Sequence, residues 1–371
     1  MSEKVIVVGA SAAGLAVARC LEEAGATPLV LEASDSVGSM WRNAYERLHL
    51  HTSRRRSGLP FMPMPANYPR YPSRTQMVDY LVAYAAALKS PPRFGERVTT
   101  IERSGEGWRV TTATGSNTAG NVVVATGNTR AADSPVWPGM DSYSGRVLHS
   151  SAYRTGADFR GQGVLVVGFG NSACEIAIDL AEQGASPALA VRSAVNVIPR
   201  ELLGIPITSF GLISQIFPPR VADAINAPAL ALAVGDIRPL GLTPLPYGPI
   251  QQIVHHRRIP LIDIGTLKLI REGRIAVRPG IDHFASGTIA FADGREETYD
   301  AVILATGFRA ALHDLLPSAE GVLDADGTPL ASGAPTAAPG LYFCGFDVTP
   351  GGMLYRISQE ARALARVIGK R

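Results

Sequence analysis

Apolar and polar positions along this chain fall into blocks that twice repeat a strand, turn, helix, strand order. Lys4–Val8 carries the run Val5-Ile6-Val7-Val8, the continuous apolar pattern of a strand buried on both faces. A glycine turn follows, then a helical pattern over Ala13–Glu23, a turn at Gly25 and a second apolar run over Pro28–Glu32. The order returns between Gly161 and Arg192. There Val164-Leu165-Val166-Val167 leads through a glycine turn into a helix opened by Asn171 and Ser172, and then to Ala188-Leu189-Ala190-Val191.

Other stretches read differently. Pro60, Pro63, Pro65, Pro69 and Pro72 exclude regular helix and central strand from Leu59 to Pro72. The interleaved Phe61, Met62, Met64, Tyr68 and Tyr71 predict an ordered, irregular loop there. Met77–Leu88 follows as an amphipathic helix with Ser73 or Thr75 as its N-cap. Val98–Thr112 reads as two short strands about a turn at Gly105–Gly107. Asn121–Gly127 is a buried strand ending in Ala125-Thr126-Gly127, and Ala301–Gly307 is a near copy ending in Ala305-Thr306-Gly307. This repeated device predicts two places where the chain passes between domains. Ile198–Pro260, rich in Pro and Gly, predicts short helices and loops. Leu267–Val277 and Thr288–Phe291 predict strands and hairpins. The tail predicts strand Leu341–Cys344, a glycine-rich turn from Gly345 to Gly352, and helix Leu354–Ile368. The fold class is α/β: two Rossmann-like dinucleotide-binding domains of the three-layer ββα type. One spans residues 1–150 and 305–371, and the other, spanning 151–304, is inserted into it.

The two turns carry the candidate chemistry. The first is Gly9-Ala10-Ser11-Ala12-Ala13-Gly14, and Glu32 lies 23 residues after Gly9. The second is Gly168-Phe169-Gly170-Asn171-Ser172-Ala173, and Arg192, followed by Ser193, lies 24 residues after Gly168. In a dinucleotide-binding βαβ unit an acidic residue near that offset accepts from ribose hydroxyls, whereas an arginine meets a 2′-phosphate. The acidic end suits the adenosine ribose of FAD and the basic end suits NADPH. Ser11 replaces the second glycine of the fingerprint, so its hydroxymethyl group has to point aside or bond the phosphate. Arg192, Ser193 and Arg200 are candidates to grip the 2′-phosphate.

Composition narrows this little. The 371 residues are 46% hydrophobic and 18% charged, with a formal net charge of +3, too small to argue for nucleic acid or a membrane surface. Arg54-Arg55-Arg56 is the one basic run, more in keeping with a solvated loop than with steering a phosphate or carboxylate. Cys20, Cys174 and Cys344 form no CxxC, which argues against a local redox disulfide or a zinc cluster and for reduced, packed thiols in a cytoplasmic protein. No apolar stretch is long enough to span a bilayer. The oligomeric state stays open, a homodimer included.

Between the turns stands Tyr143-Ser144-Gly145-Arg146-Val147-Leu148-His149-Ser150-Ser151-Ala152-Tyr153. It resembles the F-x-G-x-x-x-H-x-x-x-(F/Y) signature of the flavin-containing monooxygenase family, with Tyr143 in place of Phe. Phe159-Arg160-Gly161, Trp41 after Gly38, Ala305-Thr306-Gly307-Phe308 and the Gly345–Gly352 turn are also similar to that family. Arg47-Leu48-His49-Leu50-His51, Leu59-Pro60, Tyr71-Pro72-Ser73 and Leu261-Ile262-Asp263-Ile264-Gly265-Thr266 resemble its YUCCA-like branch. The resemblance covers nearly the whole chain.

It implies that NADPH reduces FAD, that reduced flavin captures O₂ as a hydroperoxide, and that a small organic substrate receives one oxygen atom at nitrogen, sulfur or a carbonyl. A 2-oxo acid is the substrate suggested by the branch. Cofactor contacts are then expected at Gly9, Ser11, Gly14, Glu32, Trp41, Arg42, Val98, Thr126, Gly127, Gly168, Gly170, Asn171, Ser172, Arg192, Ser193, Thr306, Gly307 and Gly345. Asn171 and His51 are the residues expected at the reaction. His51 stands where relatives often put an Asn over the flavin ring. Its alternative is a loop histidine beside His49. His149 reads as a structural hydrogen-bonding group with Tyr153 as its companion. The competing functions are an NADPH oxidase or reductase without stable oxygen transfer and a non-enzymatic flavoprotein that senses NADPH or serves as a binding module.

Overall fold

The computed structural model describes residues 5–211, 214, 216–317 and 320–369, and Lys4 lies outside them. It divides into two compact units. One comprises residues 1–43, 52–131 and 308–371, and the other comprises 44–51 and 132–307.

The first unit is built on a four-stranded parallel sheet in the order Pro28–Leu31, Val5–Val8, Asn121–Val124, Leu341–Phe343. These strands bury nearly every residue, as their unbroken apolar runs require. Helix Ala12–Glu23 packs on the sheet through small residues, and Met353–Ile368 packs beside that helix. A three-stranded antiparallel sheet, Val98–Ser104, Gly107–Thr112 and Gly115–Ala119, covers the other face, with Trp108 and Ile101 fully buried against Val122 and Leu341. The helix expected over Met77–Leu88 spans Arg74–Ala86, burying Met77, Tyr80, Leu81 and Tyr84, and opens with a capping box in which Ser73 and Gln76 satisfy each other's backbone amides.

The second unit repeats the plan. Its parallel sheet runs Ala276–Arg278, Ser186–Ala190, Gly163–Val167, Ala301–Leu304, Arg146–His149. Helix Asn171–Glu182 packs on it, and the antiparallel strands Ile281–Phe284, Ile289–Phe291 and Glu296–Glu297 form the covering layer.

Two stretches differ from the sequence expectation. Residues 198–260 contain a 16-residue helix, Pro219–Val234, with Pro228 inside it. Buried Asp223 accepts from the backbone amides of Ile250 and Gln251, each at 2.9 Å, and so holds the start of helix Pro249–His256. Thr266–Arg271 is helical, where the apolar run suggested a strand. The strand Arg146–His149 pairs with Ala301–Leu304 in the second sheet, and by contact the second unit takes in 132–307 together with the short segment 44–51. Among the described residues no helix is long and apolar enough to cross a membrane.

Candidate functional site: paired glycine turns

The two Ala-Thr-Gly copies have a physical counterpart in the sheets. In the first unit Val8 pairs with Leu31 and Val124, so Gly9 emerges beside Ala125. Gly9 has φ 106, and a Cβ there would lie 2.8 Å from the Ala125 carbonyl oxygen. In the second unit Val167 pairs with Ala190 and Leu304, so Gly168 emerges beside Ala305. Gly168 has φ 124, and a Cβ would lie 2.7 Å from the Ala305 carbonyl oxygen. Each turn therefore abuts the carbonyl of its own Ala-Thr-Gly element, at the carboxyl end of a parallel sheet, where α/β folds bind ligands.

The first turn fits an adenine dinucleotide. A Cβ on Gly14 would fall 1.8 Å from the Gly9 carbonyl oxygen, so helix and turn can close only with glycine there. Ser11 is the N-cap of Ala12–Glu23 but makes no side-chain cap bond, which leaves the first helical amides to a ligand. Glu32 is buried. Its Oε2 accepts from the Ala10 amide at 2.6 Å, and its Oε1 accepts from the Ser34 amide at 3.0 Å and hydroxyl at 2.7 Å. A carboxylate offers about four acceptor positions, so one remains for a ribose hydroxyl. At the neighbouring strand end the Thr126 hydroxyl is buried with no hydrogen-bond partner among the described residues, and Gly127 borders open space.

The second turn fits in the same way. Gly170 caps Asn171–Glu182 without a side-chain bond, and a Cβ there would meet nothing within 4 Å. Arg192 and Ser193 are exposed just beyond the Ser186–Ala190 strand, and Arg192 has no ion pair among the described residues. The Thr306 hydroxyl donates to the Asp133 carbonyl, and the Gly307 carbonyl accepts from His149 Nε2 at 3.0 Å.

Several expected residues do something more local. Asn171 Oδ1 accepts from the Ile262 amide at 2.8 Å, which anchors the neighbouring strand. The Gly345 amide donates to Glu360 Oε2 at 2.7 Å, and a Cβ on Gly345 would lie 2.9 Å from that of Ala13. Arg42 donates to the Val37 carbonyl at 2.9 Å from the short helix Ser39–Arg42, which also holds half-buried Trp41. Val98 opens the antiparallel layer opposite Thr112. His149 Nδ1 accepts from the Ser151 amide at 3.1 Å, so its hydrogen sits on Nε2, and burial lowers its pKa below the usual 6.5. Tyr153 does not pair with it: the Tyr153 hydroxyl donates to buried Asp179 at 2.6 Å.

His51 brings in a residue that sequence reasoning missed. Its Nε2 lies 2.5 Å from Oε1 of Glu175, which is 2% exposed on helix Asn171–Glu182. Facing a carboxylate, Nε2 carries the hydrogen. The Tyr45 hydroxyl lies beside Glu175 and Ser172, and burial and the Glu175 charge push its pKa well up. Arg47 pairs with Glu182 through two bonds of 3.0 Å on the same helix. Glu175, Asp179 and Glu182 were hidden because their partners lie 23 to 135 residues away in sequence.

The three cysteines are free and buried. Burial raises Cys20 to about 11 and holds Cys174 and Cys344 well above the ordinary thiol range. Disulfide exchange needs a thiolate, so these side chains are packing groups.

Two glycine cradles with an acidic and a basic strand end define an oxidoreductase that binds two adenine dinucleotides. The family described as pyridine nucleotide-disulphide oxidoreductase matches residues 6–199. Indole-3-pyruvate monooxygenase YUCCA1 of Oryza sativa subsp. japonica is 37% identical over 87% of this chain and 80% of its own length. The flavin-containing monooxygenase from Stenotrophomonas maltophilia superposes with a TM-score of 0.75 at 25% identity, covering 99% of this chain and 98% of its own. Cyclohexanone monooxygenase from Rhodococcus sp. Phi1, solved bound to NADP+, shares the fold with a TM-score of 0.77 at 17% identity, over 99% of this chain and 84% of its own. The chain belongs to the flavin monooxygenase family, in its YUCCA-like branch. It is an NADPH- and O₂-dependent flavoprotein monooxygenase that uses FAD and oxygenates a small organic substrate.

Proposed function

We propose that this monooxygenase acts on a 2-oxo acid, and that its two cofactors are sorted by Glu32 and Arg192. The observation that carries the sorting is the pair of equivalent strand ends, one buried carboxylate with an acceptor position left and one exposed guanidinium without an ion pair. The substrate class rests on relatives named indole-3-pyruvate monooxygenases that align with most of the chain.

Bound FAD, reduced by NADPH, supplies the oxygen-activating chemistry. The protein's part is placement. Gly9, Ser11, Gly14, Thr126 and Gly127 receive the FAD backbone, with Trp41, Arg42, Val98 and Gly345 as flanking contacts. Gly168, Gly170 and Ser172 receive the pyrophosphate of NADPH on an uncapped helix start, and Arg192 with Ser193 takes its 2′-phosphate. Thr306 and Gly307 line that cradle. His51, expected as a donor, has its Nε2–H engaged by Glu175, which fixes the ring and leaves Nδ1 of the neutral imidazole as an acceptor. Asn171 supports the reaction by holding the Ile262 strand rather than by reaching substrate. The domain assignment that accompanies this is FAD in the first unit and NADPH in the second. Three free, buried cysteines accord with a cytoplasmic setting.

The test is product analysis. Purified holoenzyme given NADPH and ¹⁸O₂ should convert indole-3-pyruvate to the decarboxylated acid carrying one heavy oxygen. NADPH consumption that yields only hydrogen peroxide with every 2-oxo acid would favour the oxidase reading instead.

A further inference from the structure

The Arg54–Arg56 run is not a solvated triplet. The Arg54 amide donates to the Arg70 carbonyl at 2.8 Å, and its guanidinium donates to the Tyr68 carbonyl. Arg55 is exposed. Arg56 turns inward, with its guanidinium carbon 5.7 Å from the centroid of the Tyr355 ring. Its Nη1 is shielded from solvent and has no hydrogen-bond partner among the described residues, and none of those residues forms an ion pair with it. A guanidinium keeps its charge at any working pH. The fold therefore holds a half-buried positive charge beside an aromatic ring, with no carboxylate paired to it among the described residues.

The surroundings sharpen the point. Tyr355 lies in the first turn of Met353–Ile368, whose N-cap Gly352 offers no side-chain acceptor, so the helix adds positive potential there. A Cβ on Gly352 would lie 2.5 Å from Thr52 Cγ2, so the arginine segment and the helix start approach closely. The acidic groups nearest in sequence are committed elsewhere: Asp347 and Glu360 bind Arg356 at 2.7 and 3.1 Å. The phosphates of FAD have their own place at the Gly9–Gly14 turn.

We propose that Arg56, held by Tyr355, is the residue that recognises the substrate's carboxylate. This deepens the 2-oxo acid reading and rests on it. The planar fork of an arginine matches a carboxylate with two parallel bonds, and a guanidinium already lodged beside a ring loses less freedom in making them than one free in solvent. Arg56 acts in binding and specificity, and no proton or electron passes through it.

The test uses FAD-loaded wild type, Arg56→Gln and Arg56→Lys, each checked for flavin content. Indole-3-pyruvate is compared with methyl phenyl sulfide, which has no charge, in turnover. Phenylpyruvate is compared with phenylacetone, its neutral counterpart, by titrating the absorption of the oxidised flavin. Arg56→Gln should raise KM for indole-3-pyruvate and Kd for phenylpyruvate by about 10- to 100-fold, leave both neutral compounds within about twofold, and keep its FAD; Arg56→Lys should recover part of the loss. An equal effect on charged and neutral ligands, no effect on either, or a loss confined to FAD retention would overturn the proposal. If wild type oxygenates no 2-oxo acid yet binds phenylpyruvate through Arg56, the substrate reading fails and the anion site stands.

Discussion

Arg192 and Glu32 occupy matching positions in two copies of one design, and the proposed sorting of cofactors gives their charges opposite work. On that proposal, replacing Arg192 with Ala removes charge-assisted bonds to a 2′-phosphate. KM for NADPH should rise by about 10- to 100-fold, while KM for NADH, which has no such phosphate, stays within about twofold. Steady-state kinetics with both coenzymes checks this, and a parallel rise would reject the phosphate role. His149 makes a second expectation. Burial lowers its pKa, so the folded state favours the neutral ring. Its contribution to stability should be complete above the unfolded value of about 6.5 and fall as pH drops through that value toward the folded pKa. Urea midpoints between pH 5 and 8 should show this slope in wild type and less of it in His149→Gln. At this scale the sequence disclosed the residues whose meaning lies in a fixed offset from a glycine. It did not disclose Glu175 or Glu360, because a carboxylate inside a helix reads as solvent-facing until its distant partner is known. Nor did it disclose that Arg56 faces inward, because a charge run says nothing of which member meets a ring.

Among elements, the apolar strands and the helices with plain punctuation were legible. Ser73, one of two N-caps the sequence offered, caps Arg74–Ala86 with Gln76 as its partner in the structure, and Ser73→Ala should cost about 1 kcal/mol in chemical denaturation. The helix Pro219–Val234 was not legible, since Pro228 argues locally for a break. Tertiary contacts override it: Asp223 on that helix caps the next one. Gly248 marks the junction, where a Cβ would lie 2.2 Å from Asp223 Cγ. Gly248→Ala should therefore destabilise the second unit by about 1–3 kcal/mol through forced displacement, read as an earlier urea transition.

For the molecule as a whole, the shared plan of the two sheets was readable because both copies keep the same run, turn and charge order. The exact partition was not, since segment 44–51 belongs to the second unit through Arg47 and His51, whose partners lie far along the chain. Ligand linkage gives a global test. NADP+ at about 100 times its Kd should stabilise the holoenzyme by about 2.7 kcal/mol, seen as a higher melting temperature. At the same concentration Arg192→Ala should gain far less, whereas added FAD should protect both apoproteins alike.

The backbone passes from one unit to the other at four points, near residues 43, 51, 131 and 307. Neither half can be encoded as one uninterrupted stretch of gene. Exchange of one contiguous stretch could therefore not trade one unit for another.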